Sequence, residues 1–235
     1  MASPDSPPRQ FRFPKVMKRL AYAKELLPGD YECFERDGER LLRDYWAEMY
    51  RAVRYENFVH SPGNCQSPNI LLSANLSNAT DLGARGFSYF ALSGLLGSPL
   101  DDLEKIPPDA DAFVTTEFDR VAAGLFARLC MVSGVKAANA TKILYQKRPR
   151  LYPILDQYAR RALNVPYIGG YERGDCEQLL LLALQRVRDI ASVGPNAATL
   201  AHLESVSSNV TGGIRLSRVR VIDILAWMAV GQGRQ

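Results

Sequence analysis

The sequence has few residues that bind metals or cofactors in recognisable patterns. Its four cysteines, Cys33, Cys65, Cys130 and Cys176, lie far apart and form no C-x-x-C pair. A zinc site or an iron–sulfur cluster of the usual ligand spacing is therefore not predicted. There are only two histidines, and the sequence has no H-E-x-x-H, P-loop, Rossmann or G-x-S-x-G motif. We accordingly expect no metal and no cofactor.

Long apolar runs and strong charge imbalance are also missing. No window approaches the ~18 uncharged apolar residues that a membrane span needs, so we expect no membrane association. The first residues contain no apolar signal core, which predicts a cytoplasmic protein with reduced thiols. Hydrophobic residues make up 47% and charged residues 23%, with a net charge of +4. This composition predicts a globular protein, with residues 1–10 as a disordered lead-in and 11–235 as a single helical domain.

Apolar residues recur at helical spacing through most of the chain, which predicts an all-α fold. Residues 38–55 (GERLLRDYWAEMYRAVRY) are the clearest example. The stretch Asp101–Asp111 carries two prolines and five acids, and it is interpreted as a surface loop. Further helices are predicted at 68–79, 89–96, 116–132, 137–147, 156–164, 175–191, 196–207 and 216–230.

Positive charge is concentrated between Lys136 and Arg161. This window contains seven cations and one acid, while the rest of the chain is slightly negative. Such a cluster is typical of a surface that binds a polyanion, although a solvated helix face explains it equally well. Three further arginines precede the last helix and indicate either a basic face or a solvated helix start; they are Arg215, Arg218 and Arg220.

The same window contains a helical hairpin. The helix before Val132 is followed by the short turn 133–136 and by a second helix from Ala137. Gly134 permits the positive φ that a tight turn needs. The first amides of the second helix lack intrahelical partners, so they can bind a phosphate. An ordinary αα-hairpin, which needs no ligand, is the alternative.

An aspartate follows the hairpin. Pro149 and Pro153 keep the intervening segment extended, and Asp156 then stands at the predicted N-cap of the helix 156–164. Aspartate is a favoured N-cap residue worth ~1 kcal/mol, so this position alone requires no catalytic role.

Hairpin and aspartate together resemble the helix-hairpin-helix DNA glycosylase superfamily over residues 125–164. The matching residues are Gly134 and Val135 in the turn, Ala140 on the second helix, Asp156, and Arg160 or Arg161. The resemblance implies a hairpin over 119–147, an aspartate-bearing helix over 156–164, and two helical lobes around one cleft. Residues 147–163 and 218–228 are also similar to an uncharacterised bacterial domain family that we associate with this superfamily.

The sequence departs from the superfamily pattern in three places. Lys136 replaces the second turn glycine, and the four-cysteine cluster of some members is absent. Ala138 occupies the position where bifunctional members carry a Schiff-base lysine. The resemblance therefore implies a monofunctional hydrolase that needs no covalent amine.

The resemblance implies hydrolysis of a base–sugar bond in double-stranded DNA, with Asp156 as the catalytic carboxylate. Tyr158 is the candidate for the base pocket. The alternatives are a non-catalytic DNA-binding module of the same architecture and a helical protein-interaction domain. The candidate DNA-phosphate contacts are Gly134, Val135, Lys136, Ala138, Lys142, Lys147, Arg148, Arg150 and Arg160.

Overall fold

The computed structural model describes residues 32–84, 92–97, 100–166, 172–192 and 194–231, and these ranges form helices and connecting loops. The all-α prediction is confirmed for them. The predicted lead-in 1–10 and part of the predicted helix 89–96 lie outside the described residues. The helices are α1 (Glu32–Glu48), α2 (Tyr50–Val59), α3 (Pro62–Cys65), α4 (Ser73–Asp81), α5 (Asp101–Glu104), α6 (Asp119–Cys130), α7 (Ala137–Tyr145), α8 (Gln157–Ala162), α9 (Arg173–Ser192), α10 (Gly194–Thr211) and α11 (Arg218–Gly231).

The helix predicted over 38–55 is in fact two helices. The chain leaves helical geometry at Met49, where φ is −101° and ψ is 64°. The Met49 amide still donates to the Tyr45 carbonyl, while the Met49 carbonyl already accepts from the amide of Ala52. Met49 is thus the last hydrogen-bond donor of α1 and the first acceptor of α2. The break places its side chain beside the pocket described below.

The segment Asp101–Asp111, predicted to be a surface loop, is partly in the core. It opens with the short helix α5, and both Leu103 and Ile106 are fully buried. These two apolar residues lie three apart and point the same way, so their burial outweighs the polarity of the flanking acids. The carbonyls of Leu103 and Ile106 accept hydrogen bonds from the Arg148 side chain.

The last helix lies inside the molecule. α11 packs against α1, α8 and α10, and its residues Val219, Ile222 and Leu225 are at most 1% exposed. The alternating residues 218–222 therefore belong to a helix and not to a strand. α1 and α10 also approach closely, because a Cβ at Gly38 would lie 2.7 Å from Leu203 Cδ1. This packing brings the charged residues of α11 next to α1 and α8.

The predicted hairpin is present as α6, a turn and α7. Gly134 has a φ of 79°, which confirms the positive value expected for the turn. α6 is shorter than predicted at both ends and α7 ends two residues early, because helix boundaries are least determined by periodicity.

Candidate functional site

Asp156 caps α8 and borders a pocket. Its Oδ1 accepts hydrogen bonds from the amides of Tyr158 and Ala159, both at 2.9 Å, which confirms the predicted N-cap. The carboxylate is half-buried. Amide hydrogen bonds of this kind stabilise the charged form of a carboxylate. The pocket is lined by Tyr45, Met49, Leu82, Lys142, Ile154, Asp156, Arg220, Asp223 and Trp227.

The pocket is built from distant parts of the chain. The N-terminal half contributes three residues from α1 to α4 and the loops beside them, and α7, α8 and α11 contribute the opposite side. About 370 Å³ of space is empty, of which the centres of water molecules can occupy about 60 Å³. Each water needs roughly 10–15 Å³ by the latter measure, so the pocket holds a few waters in this conformation.

A buried ionic cluster forms the floor of the pocket. The guanidinium of Arg220 donates from Nε to Glu56 Oε1 at 2.6 Å, from Nη2 to the Tyr45 hydroxyl at 3.2 Å, and from Nη1 to Asp223 Oδ2. The other oxygen of Glu56 accepts from the Tyr145 hydroxyl at 3.0 Å. The Arg220 side chain also stacks 5.7 Å from the ring centres of Tyr45 and Tyr145.

Asp223 is a second carboxylate on the same pocket. Burial raises its pKa from the ordinary value of 3.8 to about 7; the Arg220 charge opposes this rise, and the negative charge of Asp156 adds to it. Asp156 lines the same pocket and is less buried than Asp223.

Lys142 faces this pocket from the interior and not from a DNA-binding surface. It is 8% exposed, and its Nζ donates to the Leu82 carbonyl at 3.0 Å. Burial lowers its pKa, while the negative charges of Asp156 and Asp223 act in the opposite direction. Lys142 is therefore not the exposed surface cation that the prediction assumed, because its amine is buried and lies on the pocket.

Lys147 and Arg148 are buried as well, which corrects their predicted phosphate contacts. Lys147 Nζ donates to Asn64 Oδ1 at 2.8 Å and to the Ser67 carbonyl at 3.0 Å. Arg148 is completely buried and donates to main-chain carbonyls and to one asparagine. Burial lowers the pKa of Lys147 to about 8 and that of Arg148 to about 10. Lys147 joins the segment after α7 to α3 and the loop that follows it, and Arg148 joins the same segment to that loop and to α5 and Ile106.

Three further predicted phosphate contacts make hydrogen bonds within the protein. Arg150 makes two hydrogen bonds to Asp111 Oδ2, at 2.9 and 2.6 Å, and lies 3.4 Å from Glu204. Val135 is 2% exposed, and its amide donates to the Val132 carbonyl at 2.9 Å. The Val135 side chain therefore belongs to the core. Arg160 is half-buried and donates to the Pro166 carbonyl at 3.3 Å.

The turn itself lies at the surface. Lys136 is exposed, and Gly134 and Ala138 are half-buried. α7 begins after Lys136 without a side-chain cap; the amides of Asn139 and Ala140 donate to the Lys136 carbonyl, which leaves those of Ala137 and Ala138 for another acceptor. The residues that line the pocket do not include any of the turn 133–136.

Tyr158, the predicted base-pocket residue, does not itself line the pocket. Its ring meets Trp227 edge to face, with centres 6.0 Å apart. The aromatic lining residues are Trp227 and Tyr45, whose ring centres are 5.7 Å apart at an interplanar angle of 75°. Tyr158 therefore supports the wall that Trp227 forms.

The sequence prediction missed Glu56 and Asp223, and it assigned Arg220 to a basic face or a solvated helix start, whereas Arg220 is 3% exposed. A usable signal was present in α11, where one arginine and one aspartate three residues apart interrupt an apolar run. Charges in a buried helix need partners, so this spacing points to an internal ion pair. No comparable signal marks Glu56, because its partner Arg220 is 164 residues away.

Residues 39–230 match a family described as "Family of unknown function (DUF6308)". The chain belongs to this family. The DUF6308 match includes all nine residues that line the pocket. Neither the curated proteins nor the solved structures contain a match to the chain.

Metal-binding groups and membrane-spanning helices were the two other features considered in the described part of the DUF6308 chain. Among the described residues no three or more His, Cys, Asp or Glu side chains are grouped so that they could hold a metal ion. In the same part of the chain, no helix combines the length and apolar character required to cross a membrane.

Proposed function

We propose that this protein hydrolyses a base–sugar bond, with Asp156 as the essential carboxylate and a nucleotide of double-stranded DNA as the substrate. The observation that carries the proposal is that the Asp156 carboxylate lines a pocket with aromatic walls. The resemblance to the helix-hairpin-helix glycosylases, including two lobes around one cleft, is part of the proposal.

The chemistry requires a negative charge beside the sugar. Cleavage of an N-glycosidic bond passes through an oxocarbenium-like sugar, and a fixed carboxylate stabilises that cation and orients the attacking water. Both amide hydrogen bonds of Asp156 go to Oδ1, so Oδ2 is not used by them. The carboxylate is thus held in place by its own helix while one oxygen remains for the substrate or water.

The aromatic lining suits a nucleobase. A base that leaves the duplex loses stacking worth a few kcal/mol, and aromatic side chains replace part of it. Tyr45 and Trp227 offer such faces at the pocket. Since the empty space is small, we expect the half-buried side chains of Met49, Leu82 and Trp227 to shift when a base is admitted.

The turn 133–136 supplies the proposed contact with the DNA strand. Its support is the exposed Lys136, the positive φ of Gly134 and the uncapped start of α7. A helix of this kind binds phosphate through its amides and its dipole. Lys136 adds charge but no base selectivity.

The test compares the wild-type chain with Asp156→Asn on duplexes that carry single modified bases, followed by alkaline cleavage of abasic sites. Asparagine caps helices about as well as aspartate, so this variant keeps the fold and removes the charge. We expect the rate to fall roughly 10²- to 10⁴-fold. Unchanged activity in Asp156→Asn would show that this residue is not the catalytic carboxylate.

A free nucleoside or nucleotide is a second candidate substrate. The burial of Lys142, Lys147 and Arg148 favours it, because fewer surface cations remain for a long DNA backbone. The same assay with nucleosides separates the two substrates. Salt-sensitive DNA binding that persists in Asp156→Asn, without cleavage of any probe by the wild type, would instead identify a non-catalytic DNA-binding module.

A further inference from the structure

The pocket holds a second carboxylate that the proposed function does not use. We propose that Asp223 is a second catalytic residue, the general acid that donates a proton to the departing base. This inference rests on the proposed function, because it concerns the same pocket and the same bond. It goes further by assigning the leaving-group chemistry to a residue of α11.

Charge balance in the buried cluster supports a proton on Asp223. One guanidinium, Arg220, faces two buried carboxylates, Glu56 and Asp223. Glu56 receives both the Arg220 Nε–H and the Tyr145 hydroxyl, at 2.6 and 3.0 Å. The net charge of the cluster is closest to zero when one of the two carboxylates carries a proton. Since two donors already satisfy Glu56, we assign that proton to Asp223.

The charged groups around Asp223 act in opposite directions, and its burial decides the outcome. Arg220 of its own helix and Lys142 of α7 are cationic and favour the carboxylate, whereas Asp156 and Glu56 favour the acid. Tyr45 of α1 is neutral, since burial raises the pKa of its hydroxyl to about 12. Burial of Asp223 itself is the largest influence and raises its pKa to about 7.

The two aspartates are suited to opposite tasks. Glu56 is fully buried and does not line the pocket, whereas Asp223 does. Asp156 is more exposed than Asp223 and is bonded by amides. A charged carboxylate beside a protonated one is the arrangement that glycosidic bond cleavage uses.

The proposed step balances as follows. The bond between the sugar carbon and the base nitrogen breaks, its electron pair goes to the base, and the Asp223 proton is added to the base. Water attacks the sugar carbon and gives its proton to Asp156. The products are the free base and the sugar hydroxyl, and transfer of one proton from Asp156 to Asp223 through solvent restores the starting state.

The experiment compares two leaving groups. The probes are hypoxanthine, a neutral base, and 7-methylguanine, which is cationic before cleavage and leaves without protonation; each is presented in duplex DNA and as its deoxynucleoside. For Asp223→Asn we expect roughly a 10²- to 10⁴-fold loss on hypoxanthine. On 7-methylguanine we expect a much smaller loss. On hypoxanthine, the wild-type rate should decline above about pH 7, and this decline should be absent in Asp223→Asn.

Asp119→Asn is the matched control. Asp119 is also buried and paired with an arginine, since Arg188 donates to both of its oxygens at 2.6 and 2.7 Å, but it does not line the pocket. This variant should keep the wild-type rate on both probes. A loss of equal size on both probes in Asp223→Asn would overturn the general-acid role and leave the hydrolase proposal standing.

A second measurement does not depend on activity. Infrared difference spectra of the full chain should show a protonated carboxyl band that disappears as the pH rises through about 7. The band should be absent from Asp223→Asn and retained in Asp119→Asn. A band that persists in Asp223→Asn overturns the assignment. Cleavage of none of the probes by the wild type overturns the hydrolase proposal together with it.

Discussion

Two buried arginines in this molecule are compensated in different ways. Arg148 is completely buried, and its five hydrogen bonds all go to neutral oxygens. Arg220 is 3% exposed and is bonded to two carboxylates and a tyrosine hydroxyl. The first holds loops together, whereas the second adjoins an open pocket.

The difference shows which buried cation is suited to chemistry. Main-chain carbonyls do not titrate, so the surroundings of Arg148 have one charge state. The acceptors come from residues 68–69, 103 and 106 and from Lys147, which makes Arg148 a tie between distant loops. The partners of Arg220 can exchange protons, and one of them, Asp223, lines the pocket.

The largest expected effect is the loss of stability in Arg148→Met. Methionine fills much of the volume but takes a donor away from five acceptors; the Leu103 carbonyl keeps the Ile106 amide as a donor, and the Pro68 and Asn69 acceptors are partly buried. Each unsatisfied group is costly, and breaking a buried charged network typically destabilises by about 3–5 kcal/mol. Urea unfolding followed by circular dichroism would measure this. A loss below about 1 kcal/mol would contradict the role of Arg148 as a tie.

Arg220→Met tests the difference between the two arginines by the same unfolding measurement. Here the unpaired group is the Glu56 carboxylate, so adding Glu56→Gln should restore part of the lost stability. Coupled neighbours of this kind show interaction energies of about 0.5–3 kcal/mol. Adding Asn69→Leu to Arg148→Met should restore much less, because the carbonyls of Ile106, Pro68 and Lys147 lose the Arg148 donor in both variants. Equal rescue in both pairs would remove the distinction between the two arginines.

The second expected effect is a pH dependence of stability caused by Asp223. Its folded-state pKa is raised from 3.8 to about 7, chiefly by burial. The stabilisation from its neutral form is complete below about pH 4 and is lost as the pH rises through about 7. The free energy of unfolding should therefore fall over this window by about 4 kcal/mol, relative to Asp223→Asn, at about 1.4 kcal/mol per pKa unit.

The difference between wild type and Asp223→Asn isolates this contribution, since other groups titrate in both proteins. Those facing Asp223 are Arg220, Asp156, Glu56, Lys142 and Tyr45. Asp119→Asn should follow the wild-type curve through the window. Parallel curves for wild type and Asp223→Asn would mean that Asp223 is charged in the folded protein at all of these pH values.

Local features could be predicted from the sequence, whereas the burial of Lys142 and Arg148 could not. The positive φ of Gly134 and the cap at Asp156 depend on a few neighbouring residues, and the structure contains both. Counting cations between 136 and 161 treated Lys142 and Arg148 as surface charges. Their acceptors are supplied by residues about 40 to 80 positions away, which no local pattern contains.

The smallest expected effect concerns the surface cation that remains at the turn. If DNA contacts the turn 133–136, replacing Lys136 with alanine removes one phosphate contact and flattens the slope of log affinity against log salt by about 0.9. Lys105 is the matched control, because it is an exposed lysine outside the hairpin whose Nζ lies 3.5 Å from Asp102. Lys105→Ala should leave the slope unchanged. An unchanged slope in Lys136→Ala would mean that the turn does not contact DNA. The proposed contact with the DNA strand would then be absent, which favours the free nucleoside as substrate.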